Sequence, residues 1–296
     1  MAERNPVREA RQWTEGFLAR TAFRFFRLLP LDRASALGGA LARTVGPRLG
    51  ASKRARINLR RALPGLSDAE IERIVAGMWD NLGRVVAEYP HLGEFEVYAG
   101  TDRIEVAGFP ELLAKHTPDK RYIFFSGHYG NWEVATLAVT QAGLRAVEIY
   151  RAANNPYVDE LINEARSVVG SELAPKGSVA ARKAIGGLAE GKHVCLLVDQ
   201  KMNDGIPVKF FGRDAMTAPA LARLALRFNC IVVPVRVDRR GGARFRITAE
   251  APLPLPKSGD VQADTLALMT AVNATLERWI RARPEQWFWL HRRWPD

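Results

Sequence analysis

From residue 102 onward, short runs rich in β-branched and aromatic residues alternate with longer amphipathic segments. Helical periodicity is present over residues 131–142, 155–168, 178–189 and 216–228, and a last helix is expected over about 263–282. The short runs between and around these segments are RIEVAG, RYIFFSGH, RAVEIYR, HVCLLVD, CIVVPVRV and RFRITA. Alternation of this kind is typical of a largely parallel sheet covered by helices on both faces. The sequence therefore predicts an α/β fold with such a central sheet.

The chain before residue 100 has helical periodicity and no strand pattern. Ser67 is followed three residues later by Glu70, which is the sequence of a capping box, so one helix is expected to begin there. We find no internal repeat and no low-complexity linker. We therefore expect one domain over residues 32–296, made of a helical part (32–100) and an α/β core (101–296).

The net charge of +11 is concentrated at the start of the chain, where the first 65 residues carry roughly +10. Bulky apolar residues alternate with arginines in WTEGFLARTAFRFFRLLPL, a pattern typical of an amphipathic helix that lies in a bilayer interface. A surface helix that packs on the protein itself is the alternative. The arginines leave no run of the roughly 20 apolar residues that a spanning helix needs. We predict residues 1–31 to be a basic amphipathic segment for membrane association.

Several chemistries lack their sequence signatures. Cys195 and Cys230 lie in apolar runs, as expected for small core residues in a reducing compartment. No cysteine and histidine spacing indicates a zinc site, and no metal is expected. The chain contains no G-x-S-x-G motif, which argues against an esterase with a nucleophile elbow. No helix-turn-helix or aromatic RNA-binding motif is present either.

The motif SGHYGNWE, residues 126–133, follows the strand expected at 121–126. His128 should therefore lie at the carboxyl end of a strand, where open α/β sheets bind ligands. Asn131 is expected to cap the next helix, so that Glu133 falls in its first turn. The two glycines of the motif let the backbone bend, so that imidazole and carboxylate can approach each other. Such a pair suits general-base catalysis, with the carboxylate fixing the imidazole tautomer.

A bare H-x4-E pattern also fits a less specific interpretation, in which His128 is a hydrogen-bonded loop residue and Glu133 an ordinary first-turn acid. No serine or cysteine nucleophile motif accompanies the pair. If the pair is catalytic, direct attack by a substrate hydroxyl on an activated acyl group is favoured over a covalent acyl-enzyme.

Further candidate binding residues follow other predicted strands. Arg151, Asp199 and Gln200 each come after an apolar run, and the carboxyl ends of parallel strands share one edge of a sheet. A guanidinium at that edge suits a substrate phosphate. Asp199 and Gln200 suit acceptor hydroxyls, although Asp199 could equally pair with a cation. Asn131 is a further candidate for substrate binding.

The motif SGHYGNWE resembles the H-x4-D/E block of the bacterial lipid A late acyltransferases of the lauroyl/myristoyl type, a branch of the glycerolipid acyltransferase superfamily. The resemblance covers about residues 35–294. It continues through RINLRRALPGLSDAEIERIVAGMWDNLGRVVAE, IEVAGFPELLAKHTPDKRYIFF, IYRAANNPYVDELINEAR, VCLLVDQKMNDGIPVKFFGRDAMTAPALARLA and PEQWFWLHRRW. It implies that His128 is the catalytic base and Glu133 its partner. Many members begin with a more continuous apolar segment than this chain does.

The resemblance implies a membrane-associated O-acyltransferase that moves a fatty acyl group from acyl carrier protein to a hydroxyl of a lipid A precursor. It implies no metal or organic cofactor, because the acyl thioester is a co-substrate. The implied partners are acyl carrier protein, the lipid acceptor and an anionic membrane surface, with no nucleic acid. The implied location is the cytoplasmic face of the inner membrane, peripherally or interfacially anchored. The alternatives are the same chemistry on another glycolipid or phospholipid, or a non-catalytic basic protein that binds membranes or nucleic acid.

Overall fold

The computed structural model describes residues 6–295. Nine strands are present in that range. They are β1 (Ile104–Ala107), β2 (Tyr122–Ser126), β3 (Ala146–Tyr150), β4 (Glu172–Pro175), β5 (His193–Leu197), β6 (Lys201–Phe210), β7 (Arg213–Thr217), β8 (Ile231–Gly241) and β9 (Arg244–Ala249). Seven strands form the main sheet in the order β1-β9-β8-β2-β5-β3-β4, and β6 pairs with β7 in a separate antiparallel hairpin.

Ten α-helices are present in the same range. They are α1 (Pro6–Arg27), α2 (Leu31–Val45), α3 (Ser52–Ala62), α4 (Asp68–Glu88), α5 (Phe109–Ala114), α6 (Glu133–Gln141), α7 (Pro156–Arg166), α8 (Ser178–Ala189), α9 (Ala220–Phe228) and α10 (Val261–Ala282). No helix of residues 6–295 combines the length and the apolar character needed to cross a membrane.

The main sheet is largely parallel, which confirms the predicted α/β fold. Strands β8, β2, β5, β3 and β4 are parallel to one another, whereas β9 is antiparallel to β8 and carries β1 beside it. Strand β2 lies at the centre, and all five of its residues are buried. This explains why its sequence is a continuous apolar run rather than an alternating one. One apolar cluster packs between the sheet and helices α9 and α10, and a second packs under α6.

Strand β4 and the β6–β7 hairpin were not predicted from the sequence. Strand β4 has only four residues at the edge of the sheet and ends at a proline, so its pattern is short and interrupted. The hairpin strand β6 carries exposed polar residues around Asp-Gly. Because residues 213–217 pair with it, α9 begins at Ala220 and not at residue 216 as expected.

The helical part packs directly on the α/β core. The predicted capping box at the start of α4 is confirmed, because the Ser67 hydroxyl and the Glu70 carboxylate each accept a backbone N–H of the other. Further along α4, the Asn81 amide donates to the carbonyl of Gly130 over 2.9 Å. The long helix therefore supports the SGHYGNWE loop from behind.

Candidate active site

The register of the central strands brings His128 and Asp199 together. Ser126 of β2 lies opposite Leu197 of β5, so the residues two positions further on meet at the carboxyl edge of the sheet. The Nδ1 atom of His128 is 2.8 Å from Oδ1 of Asp199. The backbone N–H of His128 donates to Oδ2 of the same carboxylate over 2.7 Å. Asp199 therefore fixes both the backbone and the ring of His128.

Asp199 is an ionised carboxylate in a fully buried position. Burial alone would raise the pKa of Asp199, but the charge of His128 and its hydrogen bond outweigh burial and hold the pKa well below its ordinary value. The carboxylate accepts a third hydrogen bond, which the indole Nε1 of Trp287 donates to Oδ2 over 2.8 Å. With Asp199 ionised, Nδ1 of His128 is the donor and Nε2 is left as a base. The side-chain nitrogen of Gln200 lies 3.4 Å from that Nε2 atom.

The loop that carries His128 is held by a segment we call the C-terminal strap, residues 284–294. The N–H of Gly130 donates to the carbonyl of Gln286, and the N–H of Phe288 donates to the carbonyl of His128, each over 3.0 Å. Gly130 has a φ of +58°, and a Cβ there would come within 1.8 Å of a carbonyl oxygen of β8. Only glycine fits this turn without displacing the strand behind it.

The carboxylate of Glu133 is hydrogen-bonded to residues other than His128. Two guanidinium nitrogens of Arg166 donate to its carboxylate over 2.7 and 2.6 Å. The hydroxyl of Tyr89 donates over 2.5 Å and the indole of Trp132 over 2.8 Å. Among the described residues no hydrogen bond joins the side chains of Glu133 and His128. The structure therefore differs from the predicted pairing, and the carboxylate that contacts His128 belongs to Asp199.

The position of Glu133 follows from the start of α6. Its backbone N–H bonds to the side-chain oxygen of Asn131 over 3.2 Å, and the first helical turn directs the carboxylate toward α7. Burial alone would raise the pKa of Glu133, but the charge and hydrogen bonds of Arg166 lower it overall. Glu133 also anchors the indole of Trp132, whose ring lies 5.0 Å from that of His128. Its contact with the histidine is therefore indirect.

Asn131 lies outside the cavity beside His128, contrary to its expected substrate-binding role. Its side chain is fully buried, and its amide donates to Glu88 over 2.8 Å. Glu88 is in turn paired with Arg239 over 2.6 Å. The N-cap residue of α6 is Trp132 and not Asn131 as predicted, although the side-chain oxygen of Asn131 accepts the backbone N–H of Glu133 at the start of the helix. The role of Asn131 is to join α4, α6 and β8 beneath the motif.

A cavity of about 590 Å³ opens beside His128 at the carboxyl edge of the sheet. Three of the predicted site residues line it, namely His128, Arg151 and Gln200, whereas Asp199 lies behind His128. Its other walls are largely apolar and come from β2, β3, β5, α6, α8 and α9. A concave apolar space next to an oriented base suits a substrate with a hydrocarbon chain.

His291 of the C-terminal strap lies beside the His128–Asp199 pair. The ring centroids of His291 and His128 are 4.7 Å apart. Ligand atoms of His128, Asp199 and His291 all lie within 4.8 Å of one another. Both carboxylate oxygens of Asp199 already accept hydrogen bonds, from His128 and Trp287, so this set lacks the free carboxylate that a metal would need. Burial lowers the pKa of His291 to about 3, which keeps this imidazole neutral.

Sequence reasoning missed three residues that build this site: Tyr89, Arg166 and Trp287. Tyr89 and Arg166 hold Glu133, and Trp287 holds Asp199. The tryptophan-rich end of the chain, PEQWFWLHRRW, is the sequence feature that could have indicated Trp287.

The family model described as bacterial lipid A biosynthesis acyltransferase matches residues 2–296. The chain belongs to this family. The lipid A biosynthesis myristoyltransferase of Escherichia coli strain K12 is 25% identical over 247 residues, which cover 82% of this chain and 75% of that protein. The lipid A biosynthesis acyltransferase 1 of Shigella flexneri has the same identity and coverage. The acyltransferase 2 of Shigella flexneri is 22% identical over 242 residues, or 81% and 76% of the two chains. In this acyltransferase, the His128–Asp199 pair lies at the mouth of the cavity.

Proposed function

We propose that this acyltransferase moves a fatty acyl group from acyl carrier protein to a hydroxyl of a lipid A precursor, with His128 as general base. The observation that carries the proposal is an imidazole that is oriented by a buried carboxylate through Nδ1 and lines an apolar cavity. Membership of the family supports the reaction class and a lipid A-type acceptor.

The proposed reaction needs a single tetrahedral intermediate. The acceptor oxygen attacks the thioester carbonyl carbon while Nε2 of His128 takes the hydroxyl proton. Asp199 stabilises the imidazolium that forms. The C–O bond is then complete, the C–S bond breaks, and the imidazolium returns its proton to the leaving thiolate. The Gln200 amide, 3.4 Å from Nε2 of His128, is placed to donate to the oxyanion.

Within this mechanism Glu133 is a positioning residue. It binds Trp132, whose ring packs against His128, and it neutralises the buried guanidinium of Arg166. Glu133 of the H-x4-E motif therefore fixes Trp132, which forms the cavity wall beside His128. The carboxylate that assists proton transfer is Asp199.

Arg151 is proposed to bind a phosphate of the donor arm or of the acceptor. It lines the cavity mouth, is exposed, and has no carboxylate partner among residues 6–295. Lys176 lines the same cavity, and burial together with the charge of Arg151 lowers the pKa of Lys176. Two neighbouring cations at one cavity suit a phosphate dianion.

We expect Arg151→Lys to lower kcat/KM by about tenfold with little change in melting temperature, because an ammonium cannot make the planar two-pronged contact. Steady-state rates and melting temperatures measured together check this. Arg244→Lys, on β9 at the opposite part of the sheet, is the matched control. Unchanged kinetics for Arg151→Lys would remove Arg151 from the substrate site.

Membrane association is proposed to involve α1. One side of α1 docks on the rest of the protein, where the Asn155 amide donates to the carbonyl of Gln12 over 2.8 Å. The other side leaves bulky apolar residues exposed, with Trp13 and Phe17 stacked on each other. Leu18, Phe25 and Leu28 are also exposed, Leu28 to 84%. Residues 1–5 of the predicted segment lie outside the described residues.

We expect the triple variant Trp13→Gln, Phe17→Gln, Leu18→Gln to bind anionic vesicles at least tenfold more weakly, because each lost apolar contact is worth about 1.5–3 kcal/mol. Added salt should weaken binding of the unmodified protein as well. Val261→Gln with Leu266→Gln, two exposed apolar positions on α10, is the control. Vesicle co-sedimentation is the measurement, and equal binding by the α1 variant would contradict the assignment.

The same proposal places the enzyme peripherally on the cytoplasmic face of the inner membrane, where acyl carrier protein and the acceptor meet. The test is to incubate the purified protein with acyl-carrier-protein thioester and a hydroxylated lipid A precursor, and to analyse the lipid by mass spectrometry. A new ester on the precursor supports the proposal. Transfer only to another glycolipid or phospholipid would show that this lipid, and not a lipid A precursor, is the acceptor. No transfer to any acceptor would overturn the proposal.

A further inference from the structure

The cavity beside His128 has two parts, one on each face of the sheet edge. Consecutive residues of β2, β3 and β5 line it, and consecutive strand residues point to opposite faces. On the face under α6, a part that we call the inner lobe is lined by residues that include Phe124, Ser126, Ala135, Thr136, Glu148 and Cys195. On the other face, a part that we call the outer groove is lined by residues that include Phe125, Ile185, Leu221, Arg223 and Arg227.

The inner lobe is the more enclosed of the two. The strand residues of both parts are buried or partly buried, so the difference lies in the helix walls, where Ala135 and Thr136 of α6 are exposed to only 8 and 7%. The outer groove has an exposed arginine wall on α9, formed by Arg223 and Arg227. Because hydrocarbon binding gains about 25 cal/mol for each Å² removed from water, the enclosed lobe is the better site for a complete alkyl chain.

Polar groups mark both ends of the inner lobe. At its mouth lies Ser126, two residues before His128, whose Oγ is buried and has no hydrogen-bond partner in the described part of the chain. At its inner end lies Glu148, which is opposite Cys195 in the sheet, while Cys195 is opposite Phe124. The two ends differ by about 7 Å along the strand direction, the rise of two strand residues, and by roughly 10 Å across the sheet, because β5 lies between β2 and β3. The thioester oxygen fits at the first end and a chain terminus at the second.

The next row of side chains on this face does not line the cavity. Tyr122, Ala146 and His193 occupy that row, and none of them is among the described lining residues. The row that contains Glu148 is therefore the floor of the inner lobe. The Glu148 carboxylate is held there by the hydroxyl of Ser171, which donates over 2.8 Å. Burial and the charge of Glu133 raise the pKa of Glu148, against the opposing charge of Arg166, which also lines the cavity.

We infer that the inner lobe holds the acyl chain of the donor and that Glu148 is the residue that limits its length. This inference rests on the proposed acyl transfer. A chain that reached past this row would have to displace a buried carboxyl group and its hydrogen bond with Ser171 without offering a polar partner in return, which is unfavourable. Chains that end above the carboxyl avoid this cost and still fill the apolar walls.

The experiment measures transfer from acyl-carrier-protein thioesters of saturated chains that increase in length in equal steps. Glu148→Ala is expected to move the preferred chain upward by roughly two carbons, since the truncation leaves space at the floor. Glu148→Gln keeps size and polarity and is expected to retain the original preference. Cys195→Met narrows the same row and is expected to move the preference to shorter chains, so the test survives if Glu148→Ala fails to fold.

Ile185→Phe in the outer groove is the matched control, and it is expected to leave the preferred chain length unchanged. An unchanged preference in a folded Glu148→Ala protein would overturn the assignment of Glu148, and an unchanged preference in Cys195→Met would overturn the placement of the chain in the inner lobe. So would a shift to shorter chains in Ile185→Phe, because that result would place the acyl chain in the outer groove. Absence of transfer by the unmodified protein with every chain would instead overturn the proposed function.

Discussion

Asp199→Asn is expected to lower the rate of acyl transfer by about 10⁴-fold, the scale of the same substitution in a Ser-His-Asp triad. The carboxylate accepts both the ring Nδ1–H and the backbone N–H of His128. An amide presents a donor on one side, so it favours the wrong imidazole tautomer and cannot stabilise the imidazolium. Single-turnover rates with a saturating donor, measured alongside melting temperature, check the prediction.

Glu133→Gln is the informative comparison for that variant, because it neutralises the carboxylate of the H-x4-E motif. It leaves the buried Arg166 without its countercharge, so a stability loss of roughly 3–5 kcal/mol is expected. In the folded fraction the activity should fall much less than in Asp199→Asn. Near-normal rates for Asp199→Asn, together with an inactive but folded Glu133→Gln protein, would restore Glu133 as the partner of His128.

His128→Ala is expected to reduce turnover by 10²–10⁴-fold, or about 2.7–5.5 kcal/mol of transition-state stabilisation. The loss should appear in kcat with little change in KM, because in the proposed mechanism the imidazole acts on the reacting hydroxyl and the substitution leaves the cavity walls intact. His116→Ala removes a histidine outside the cavity and is the control. A folded His128→Ala protein with near-normal turnover would show that another group takes the proton.

The sequence was sufficient for the fold class and for the edge at which the site lies. Strand and helix patterns are local, and the carboxyl-edge rule then placed His128, Arg151 and Gln200 around one cavity. The rule cannot say which strands are neighbours. Strand β5 lies between β2 and β3, although it follows both in the chain. For that reason Asp199 could be placed at the correct edge without being recognised as the partner of His128.

The direction of Glu133 was also beyond sequence reasoning. Helix spacing placed it in the first turn of α6, which is correct, but the first turn has several possible directions for a side chain. Hydrogen bonds with Arg166 and Tyr89 fix the direction of the Glu133 side chain, and these residues are 33 and 44 positions away in the chain. A buried guanidinium requires a carboxylate, and this long-range requirement outweighed the local proximity of a histidine.

The C-terminal strap has a consequence for the order in which the enzyme becomes competent. Trp287 donates to Asp199 from 88 positions further along the chain, and the strap pairs with the loop that carries His128. Contacts so distant in sequence form late, after the strands between them are in place. A nascent or truncated chain that has completed its sheet but not its strap should have the catalytic residues without their final alignment.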